Sequence, residues 1–270
     1  MLTLTDISKT FYAGTPNEVR ALQGVNLKIE QGSFVVVIGT NGSGKSTLLN
    51  AVAGAFFVDE GRIELADHDV TRWPEHRRAV HIGRVFQNPF TGTAPNLSIA
   101  ENLALAERRG QFRGLGLALK RRSIDELREK VKEMGLGMED RLSNPIGSLS
   151  GGQRQSLTLL MAGLRRPDLL LLDEHTAALD PKSADQVIRL TENMIAKNKL
   201  TTMMVTHSMQ QAASLGDRLI MMVRGQIMFD FQGPAKARLT PESILHKFEE
   251  VRRLERLDKP AAEQLRRVYV

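Results

Sequence analysis

The sequence contains no cysteine, which excludes disulfide bonds and thiolate metal ligands and is typical of the reducing cytosol. It also lacks any run that approaches the roughly 20 apolar residues of a membrane-spanning helix. The amino terminus, residues 1–6, shows no basic segment followed by an apolar one, so it does not resemble a secretion signal. We therefore expect a chain that stays in the compartment where it is made and whose chemistry uses oxygen and nitrogen ligands.

Acidic residues are in the minority, with 31 Asp and Glu against 37 Lys and Arg and a formal net charge of +6. Such a charge is compatible with a nucleic acid, an anionic membrane surface or a polyanionic small ligand as partner, and does not choose among them. The 270 residues, 41% of them hydrophobic, are enough for one sizeable core or two small ones, which fits one cassette with a small appended subdomain.

Short apolar runs alternate with helical patterns along the chain. The run Phe34–Ile38 is followed at once by glycines and then by a helical pattern that ends at Gly54. Two more apolar runs, Leu169–Leu172 and Thr202–Val205, each follow a helical segment, as buried parallel strands do. The pattern predicts an α/β core. We expect a cassette over residues 1–239 with a helical subdomain at about 88–165, and a C-terminal helical extension over 240–270.

A glycine-rich motif joins the first of these strands to its helix. Residues 39–46 match G-x-x-x-x-G-K-[ST], in the strand-to-helix context that gives this pattern its meaning. Its backbone N–H groups and the helix N-terminus attract phosphate, while Lys45 would neutralise the β- and γ-oxygens and Ser46 would ligate Mg²⁺. The predicted nucleotide-binding residues of this loop are Gly39, Thr40, Asn41, Gly42, Ser43, Gly44, Lys45, Ser46 and Thr47.

Two acids follow the strand Leu169–Leu172. Adjacent residues of a strand point to opposite sides, so Asp173 and Glu174 can have different tasks. Asp173 would hold Mg²⁺ through water, and Glu174 would orient and deprotonate the water that attacks the γ-phosphorus. The competing interpretation is a pair of solvated acids at a strand end.

A further motif, Leu149-Ser-Gly-Gly-Gln153, resembles the signature of the ABC ATPases. Three other segments are similar to motifs of that family in the family's order: Gln87 to its Q-loop, Ala178–Asp180 to its D-loop and His207 to its switch histidine. The resemblance runs from about Leu2 to Phe231. It implies a P-loop NTPase of the ABC type, with a RecA-like core, an antiparallel β subdomain and an inserted helical subdomain.

The resemblance also implies roles for single residues. The turn of Ser150, Gly151, Gly152 and Gln153 would face the ATP held by a second copy of the chain, with Asp180 at the dimer seam. His207 would contact the γ-phosphate, and Gln87 would sense Mg²⁺ or the attacking water and relay its state to the helical subdomain. Phe11 matches the aromatic residue that stacks on adenine, and Tyr12 is the alternative; Phe11 could instead be tucked under the sheet.

One position departs from the family pattern, because His175 stands where the family usually has proline. This variant resembles a subgroup of importer ATPases that work with branched-chain-amino-acid-type permeases, some of them for amino acids, including aromatic ones. We therefore expect ATP and Mg²⁺ as cofactors, and transmembrane permease subunits, a second copy of the chain and an extracytoplasmic solute-binding protein as partners. The resemblance places the protein in the cytoplasm, peripherally at the inner face of the cell membrane, with no nucleic-acid partner.

Two alternatives remain open at this stage. Glu18–Leu22 and Thr47–Asn50 also resemble exporter or lipid-extraction ATPases, although Thr176–Asp180 lacks the Gly-Asn typical of that group. A non-transport ABC ATPase acting on DNA or ribosomes is compatible with the basic charge, but such proteins generally carry long coiled-coil insertions or two cassettes in one chain.

Two segments are less informative. Basic residues without an intervening acid indicate a solvated loop, or else a contact with anionic headgroups beside a permease; they are Arg108, Arg109, Arg113, Lys120, Arg121 and Arg122. In the C-terminal extension, Ile244, Phe248, Val251 and Leu254 recur at helical spacing. We expect them to pack on the chain's own cassette, with a dimer contact or a regulatory role as the alternatives.

Overall fold

The structure is a computed structural model that describes residues 1–111 and 121–250. Its strands are β1 (Leu2–Phe11), β2 (Val19–Ile29), β3 (Phe34–Gly39), β4 (Glu60–Leu65), β5 (His68–Asp69), β6 (Ile82–Val85), β7 (Leu169–Asp173), β8 (Thr202–Val205), β9 (Arg218–Val223) and β10 (Gln226–Gln232). Its α-helices are α1 (Lys45–Ala53), α2 (Glu75–Arg78), α3 (Ile99–Glu107), α4 (Arg121–Lys132), α5 (Gly151–Leu164), α6 (Pro181–Asn198), α7 (Met209–Ser214) and α8 (Gly233–Ala237). Residues 241–250 are helical as well.

The central sheet has the strand order β10-β9-β3-β8-β7-β6, in which only the edge strand β10 runs antiparallel to its neighbour. Its parallel strands are buried on both faces, which explains their continuous apolar runs. Within β3, Val35 and Val37 belong to the core around α1, whereas Val36 and Ile38 belong to the core that includes α6 and α7 residues. The carboxyl ends of β3, β7 and β8 therefore lie side by side.

The second sheet is antiparallel, in the order β2-β1-β4-β5. Its apolar face packs on α1, because Leu2, Leu4 and Ile7 share one core with Leu48 and Val52. Strand β1 continues as far as Phe11, since register shifts allow Thr10 and Phe11 to pair with β2.

The helical part has a core of its own, to which α3, α4 and α5 contribute Leu103, Leu127 and Leu157. Helices α3 and α5 each begin with a capping box, at Ser98 with Glu101 and at Ser150 with Gln153. Each box satisfies N–H groups that the first turn of a helix leaves free.

The C-terminal segment packs on the same chain as far as the structure describes it. Ile244 and Phe248 are buried in the core that contains Met221 and Ile195. Val251 and Leu254, and with them residues 251–270 of the predicted extension, lie outside the described residues. For residues 241–250 the finding agrees with packing on the cassette.

The basic stretch after α3 is not wholly a solvated loop. Arg109 is half-buried, and its guanidinium donates to the carbonyl oxygens of Ala162 at 3.2 Å and Arg165 at 2.8 Å. The solvated-loop prediction is therefore wrong for Arg109, because the end of α5 offers carbonyl groups that need donors. Arg113 and Lys120 lie outside the described residues. Within residues 1–111 and 121–250, no helix combines the length and apolarity that crossing a bilayer requires.

Candidate functional site

The glycine loop connects β3 to the first turn of α1. Gly42 and Gly44 adopt left-handed backbone angles, with φ of 78° and 98°, which favour glycine. A Cβ atom on Gly44 would lie 2.5 Å from the carbonyl oxygen of Ala21, so the loop also needs glycine there for space. The loop is anchored to the β9–β10 turn by the hydrogen bond from the Gly225 amide to the Ser43 carbonyl, at 2.9 Å.

Lys45 is buried and its ammonium group lies against its own loop. The Nζ atom donates to the carbonyl oxygens of Gly39 and Thr40, each at 3.0 Å. Burial lowers the pKa of Lys45, and the carboxylates of Glu174 and Asp173 oppose that shift. The cation thus lies where two acids and the loop converge, and carbonyl oxygens are weak partners that an anion can replace.

The loop passes a physical test for a phosphate ligand. The Ser43 hydroxyl is buried without a hydrogen-bond partner in the described residues, an arrangement that calls for an absent group. Helix α1 begins at a left-handed Gly44 without a side-chain cap and with no acid in its first turn. Its first N–H groups are therefore available to an anion. Asn41 and Ser46 are exposed and Thr40 and Thr47 partly so, at the open side of the loop.

Asp173 ends β7, where it pairs in register with Val205 of β8. Burial raises its pKa, while Arg84, the Ser46 hydroxyl, Lys45 and His207 oppose the shift. The Arg84 guanidinium is 3.9 Å from the Asp173 carboxylate. The sequence prediction did not include Arg84, whose one signal was a charged residue inside the apolar strand β6.

Glu174 and His207 meet although they follow different strands. Glu174 leaves β7 with a left-handed φ of 45°, and its amide donates to the carbonyl of Val205 at 3.0 Å. Its carboxylate is 2.5 Å from Nε2 of His207. The Glu174 side chain is 11% exposed and that of His207 47%, so the pair lies at the mouth of the site with the carboxylate inside.

Further polar contacts hold the loops that carry this pair. The Thr206 hydroxyl donates to the Gln211 side chain at 2.6 Å, and the Gln211 amide donates to the Thr176 hydroxyl at 3.2 Å. These residues tie the loop after β8 to the loop after β7. No sequence motif marks a contact between Thr176 and Gln211, so these residues were not predicted as part of the site.

Gln87 is exposed and lies two residues beyond Val85, whose partner in the sheet is Leu172. Since Glu174 lies two residues beyond Leu172, both leave the sheet at the same edge. Their segments are connected to α5 as well, because the Gln155 amide donates to the carbonyl of Phe86 at 3.0 Å.

The turn that begins α5 lies beside the start of α6. Ser150 is exposed and its hydroxyl accepts from the Gln153 amide at 3.3 Å, while a Cβ atom on Gly152 would lie 2.6 Å from Ser183 Cβ. Gly151 faces Leu179. Asp180 caps α6, and its hydrogen bond with Ser183 lowers its pKa.

Phe11 and Tyr12 have different surroundings at the end of β1. The Phe11 ring meets Phe56 edge to face at 5.3 Å and lies 5.5 Å from the Lys9 ammonium group. It is partly exposed, whereas Tyr12 is 72% exposed. An aromatic ring that is half buried and rigidly packed is the better platform for a flat ligand, so Phe11 stays the predicted adenine contact.

Among residues 1–111 and 121–250, no group of three or more His, Cys, Asp or Glu residues is arranged to bind a metal ion. A magnesium ion that accompanies a nucleotide does not need such a group, because phosphate oxygens and water supply most of its ligands. Ser46 and Asp173 both present oxygen atoms, and they lie close enough for the Ser46 hydroxyl to lower the pKa of Asp173. The residues present therefore fit a nucleotide-bound Mg²⁺.

A glycine loop between a parallel strand and a helix, with two acids at the end of a neighbouring strand, defines a P-loop nucleoside triphosphatase. The sequence model of the ABC transporter family matches residues 22–177, and the chain belongs to that family. It is the ATP-binding and ATP-hydrolysing subunit of an ABC transporter. The predicted fold class, a P-loop ATPase of the ABC type with a RecA-like core, is thereby confirmed.

Three relatives illustrate the match. The "Tyrosine transport ATP-binding protein" of Clostridioides difficile (strain R20291) is 42% identical over 251 residues, 92% of this chain and 99% of that protein. The lipoprotein-releasing system ATP-binding protein LolD of Ruegeria pomeroyi is 35% identical over 231 residues, 84% of this chain and 96% of that protein. The dimeric post-hydrolysis structure of the cassette MJ0796, bound to ADP and Pi, is 28% identical, covers 86% of this chain and 98% of its own, and has a TM-score of 0.73.

Proposed function

We propose that this subunit powers the uptake of a small solute, an amino acid of the tyrosine type, through a separate membrane permease. The observation that carries the proposal is the 42% identity with a tyrosine transport ATP-binding protein over nearly the whole of both chains. The solute-binding protein expected of such an importer would lie outside the membrane, and the subunit would lie at its cytoplasmic face. No residue of the motor needs to touch the solute.

ATP would bind with its phosphates on the glycine loop. Lys45 exchanges the carbonyl oxygens of Gly39 and Thr40 for phosphoryl oxygens, and the buried Ser43 hydroxyl gains a partner. The adenine would stack on Phe11 for about 1 kcal/mol, with little selectivity between bases. Mg²⁺, when bound with ATP, neutralises phosphate charge, and Ser46, Asp173 and Gln87 are the residues that would hold or sense it.

Hydrolysis would use the pair at the mouth of the site. Glu174 accepts a proton from the attacking water, and its backbone is fixed by the hydrogen bond from its amide to the carbonyl of Val205. His207, now 2.5 Å from that carboxylate, would turn to the γ-phosphate when ATP arrives. The hydrogen bonds through Gln211 keep the two loops at a constant separation while the histidine moves.

The complete site would be shared between two copies of the chain. Helix α5 begins at an exposed Ser150, so the positive end of its dipole faces solvent, yet the chain has its own phosphate loop. In a head-to-tail dimer, the turn of Ser150–Gln153 would close over the ATP of the neighbour, with Asp180 at the seam. The dimeric MJ0796 structure supports this arrangement.

A permease helix would dock in a cleft of 580 Å³ beside the Q-loop. The cleft runs between β6 and the helical part, and Phe86, Thr91, Leu105 and Met161 contribute to its walls. It has an apolar floor and lies next to Gln87, so movement after ATP binding would reach the permease directly.

The decisive experiment on the motor uses Glu174→Gln. We expect hydrolysis to fall by about 10²- to 10⁴-fold, the usual contribution of a general base, while ATP binding stays intact and a stable ATP-bound dimer accumulates. Turnover is measured by phosphate release and dimerisation by light scattering. His246→Gln, a change at an exposed histidine of the C-terminal helical residues 241–250, serves as the control. Near-normal hydrolysis by Glu174→Gln would remove Glu174 as the base.

The direction and solute are tested separately. The permease is identified by affinity capture of the full chain and reconstituted with it in proteoliposomes, and ATP-driven uptake of labelled tyrosine is measured against a lipoprotein-release assay. The second candidate, a release or extraction ATPase, is favoured by the 35% identity with LolD over 96% of that protein. Lipoprotein release without tyrosine uptake would establish that candidate instead.

A further inference from the structure

Arg154 is a buried cation that holds the turn before the signature serine. Its side chain belongs to the first part of α5, is 1% exposed and pairs with no carboxylate among the described residues. Its Nη2 atom donates to the carbonyl oxygen of Gly147 at 2.7 Å and reaches that of Leu149 at 3.5 Å. Side chains of a helix point towards its N-terminus, which brings this guanidinium under Ser150.

The guanidinium also contacts the surface on which the permease is proposed to press. Its central carbon lies 4.0 Å from the centre of the Phe90 ring, a cation–π contact. That ring is 60% exposed, and the next residue, Thr91, lines the 580 Å³ cleft. One side chain therefore joins the Q-loop segment to the signature turn.

The position of Arg154 is electrostatically unfavourable for a residue that only fills space. A positive charge near a helix N-terminus opposes the helix dipole, and burial removes its hydration. The Nε and Nη1 atoms of Arg154 are buried without a partner in the described part of the chain. The neighbouring Gln155 binds the carbonyl of Phe86, so α5 is held to the Q-loop segment at two consecutive residues.

We propose that the contact between Phe90 and Arg154 is a relay through which the position of the Phe90 ring sets the position of the Gly147–Ser150 turn. Pressure on Phe90 from outside would shift the guanidinium, and the carbonyls of Gly147 and Leu149 would follow. Arg154 is then a positioning residue for the neighbour's ATP site. The identity of the pressing partner and the sharing of the ATP site with a neighbouring copy rest on the proposed function, whereas the coupling of Phe90 to the turn does not.

The relay is tested first in the full chain alone, without nucleotide, by hydrogen exchange of the Gln153 and Arg154 amides, which bond to Ser150. We expect Phe90→Leu to accelerate their exchange about tenfold, or about 1.4 kcal/mol, and Arg154→Met to do so at least as strongly. Phe90→Trp should preserve the protection. The matched control is Phe57→Leu, which changes another exposed phenylalanine, 45% accessible. Exchange unchanged by Phe90→Leu would overturn the relay.

The second measurement is a double-mutant cycle on the dissociation constant of the ATP-bound dimer, in the Glu174→Gln background. Phe90→Leu should weaken the dimer, and should add nothing once Arg154→Met is present. If Phe90→Leu and Arg154→Met change the dissociation constant of the dimer by independent factors, the relay is contradicted. If the Glu174→Gln chain with Phe90 and Arg154 intact does not dimerise, the shared ATP site is refuted, and the exchange experiment alone decides on the relay.

Discussion

Replacing His175 by glutamine should reduce the amount by which the free energy of unfolding falls when the pH is lowered from 7 to 5. His175 is 1% exposed, and its Nε2 atom lies 3.1 Å from the hydroxyl of Thr191. The Thr191 hydroxyl donates its hydrogen to the carbonyl of Val187. It must therefore accept a hydrogen bond from the His175 ring, so the ring hydrogen is on Nε2. The remaining ring nitrogen, Nδ1, is buried without a partner in the described residues. Protonation would place a charge there with no acceptor.

Burial consequently lowers the pKa of His175 from 6.5 to about 4. Between these values the unfolded chain binds more protons than the folded one, so the stabilising contribution is complete above pH 6.5 and is lost as the pH falls towards 4. The full shift corresponds to about 3 kcal/mol, of which about 2 kcal/mol is lost between pH 7 and pH 5.

Urea unfolding at pH 7, 6 and 5, without nucleotide and with EDTA, measures this contribution. The glutamine variant keeps a group that can donate to Thr191 but does not titrate, and the other five of the six histidines cancel in the comparison. We expect the parent chain to lose about 2 kcal/mol more than His175→Gln between pH 7 and pH 5. The exposed His76→Gln should behave as the parent does. Parallel pH profiles for the parent and His175→Gln would refute the assignment of a buried neutral ring.

Three other changes test the site and its support. Lys45→Ala removes the cation of the loop and should weaken ATP binding by at least about tenfold, or 1.4 kcal/mol, in calorimetric titration; an unchanged dissociation constant would contradict its role. Ser150→Arg should reduce hydrolysis below detection while ATP binding to the monomer persists, and unaltered phosphate release would rule out the shared site. Arg78, fully buried, donates to the carbonyls of Ala51 and Val52 at the end of α1. Arg78→Met should lower the free energy of unfolding in urea by about 3 kcal/mol, because these acceptors lose their partner, whereas the exposed Arg72→Met should have little effect.

The tertiary structure, and not the sequence, revealed most of what surrounds Glu174 and His207, the pair proposed to act in hydrolysis. The sequence shows Arg84 only as a single charged residue within a strand. The sheet places its guanidinium 3.9 Å from the Asp173 carboxylate. His175 was noticed as a departure from the family, but its burial against Thr191 depends on how α6 packs. The solvated loop expected at Arg109 was wrong for the same reason, since the end of α5 is not its neighbour in sequence.

The sequence by itself determined the glycine loop and the motifs that follow it, because each depends on residues a few positions apart and on local backbone preferences. It also determined the α/β class, since buried parallel strands have continuous apolar runs. Only the folded chain decided which motifs meet. Glu174 reaches His207 because β7 and β8 are neighbours in the sheet, and Arg154 reaches Phe90 because α5 packs beside the segment after β6. Such pairings arise from long-range packing of sheets and helices, which no local spacing encodes.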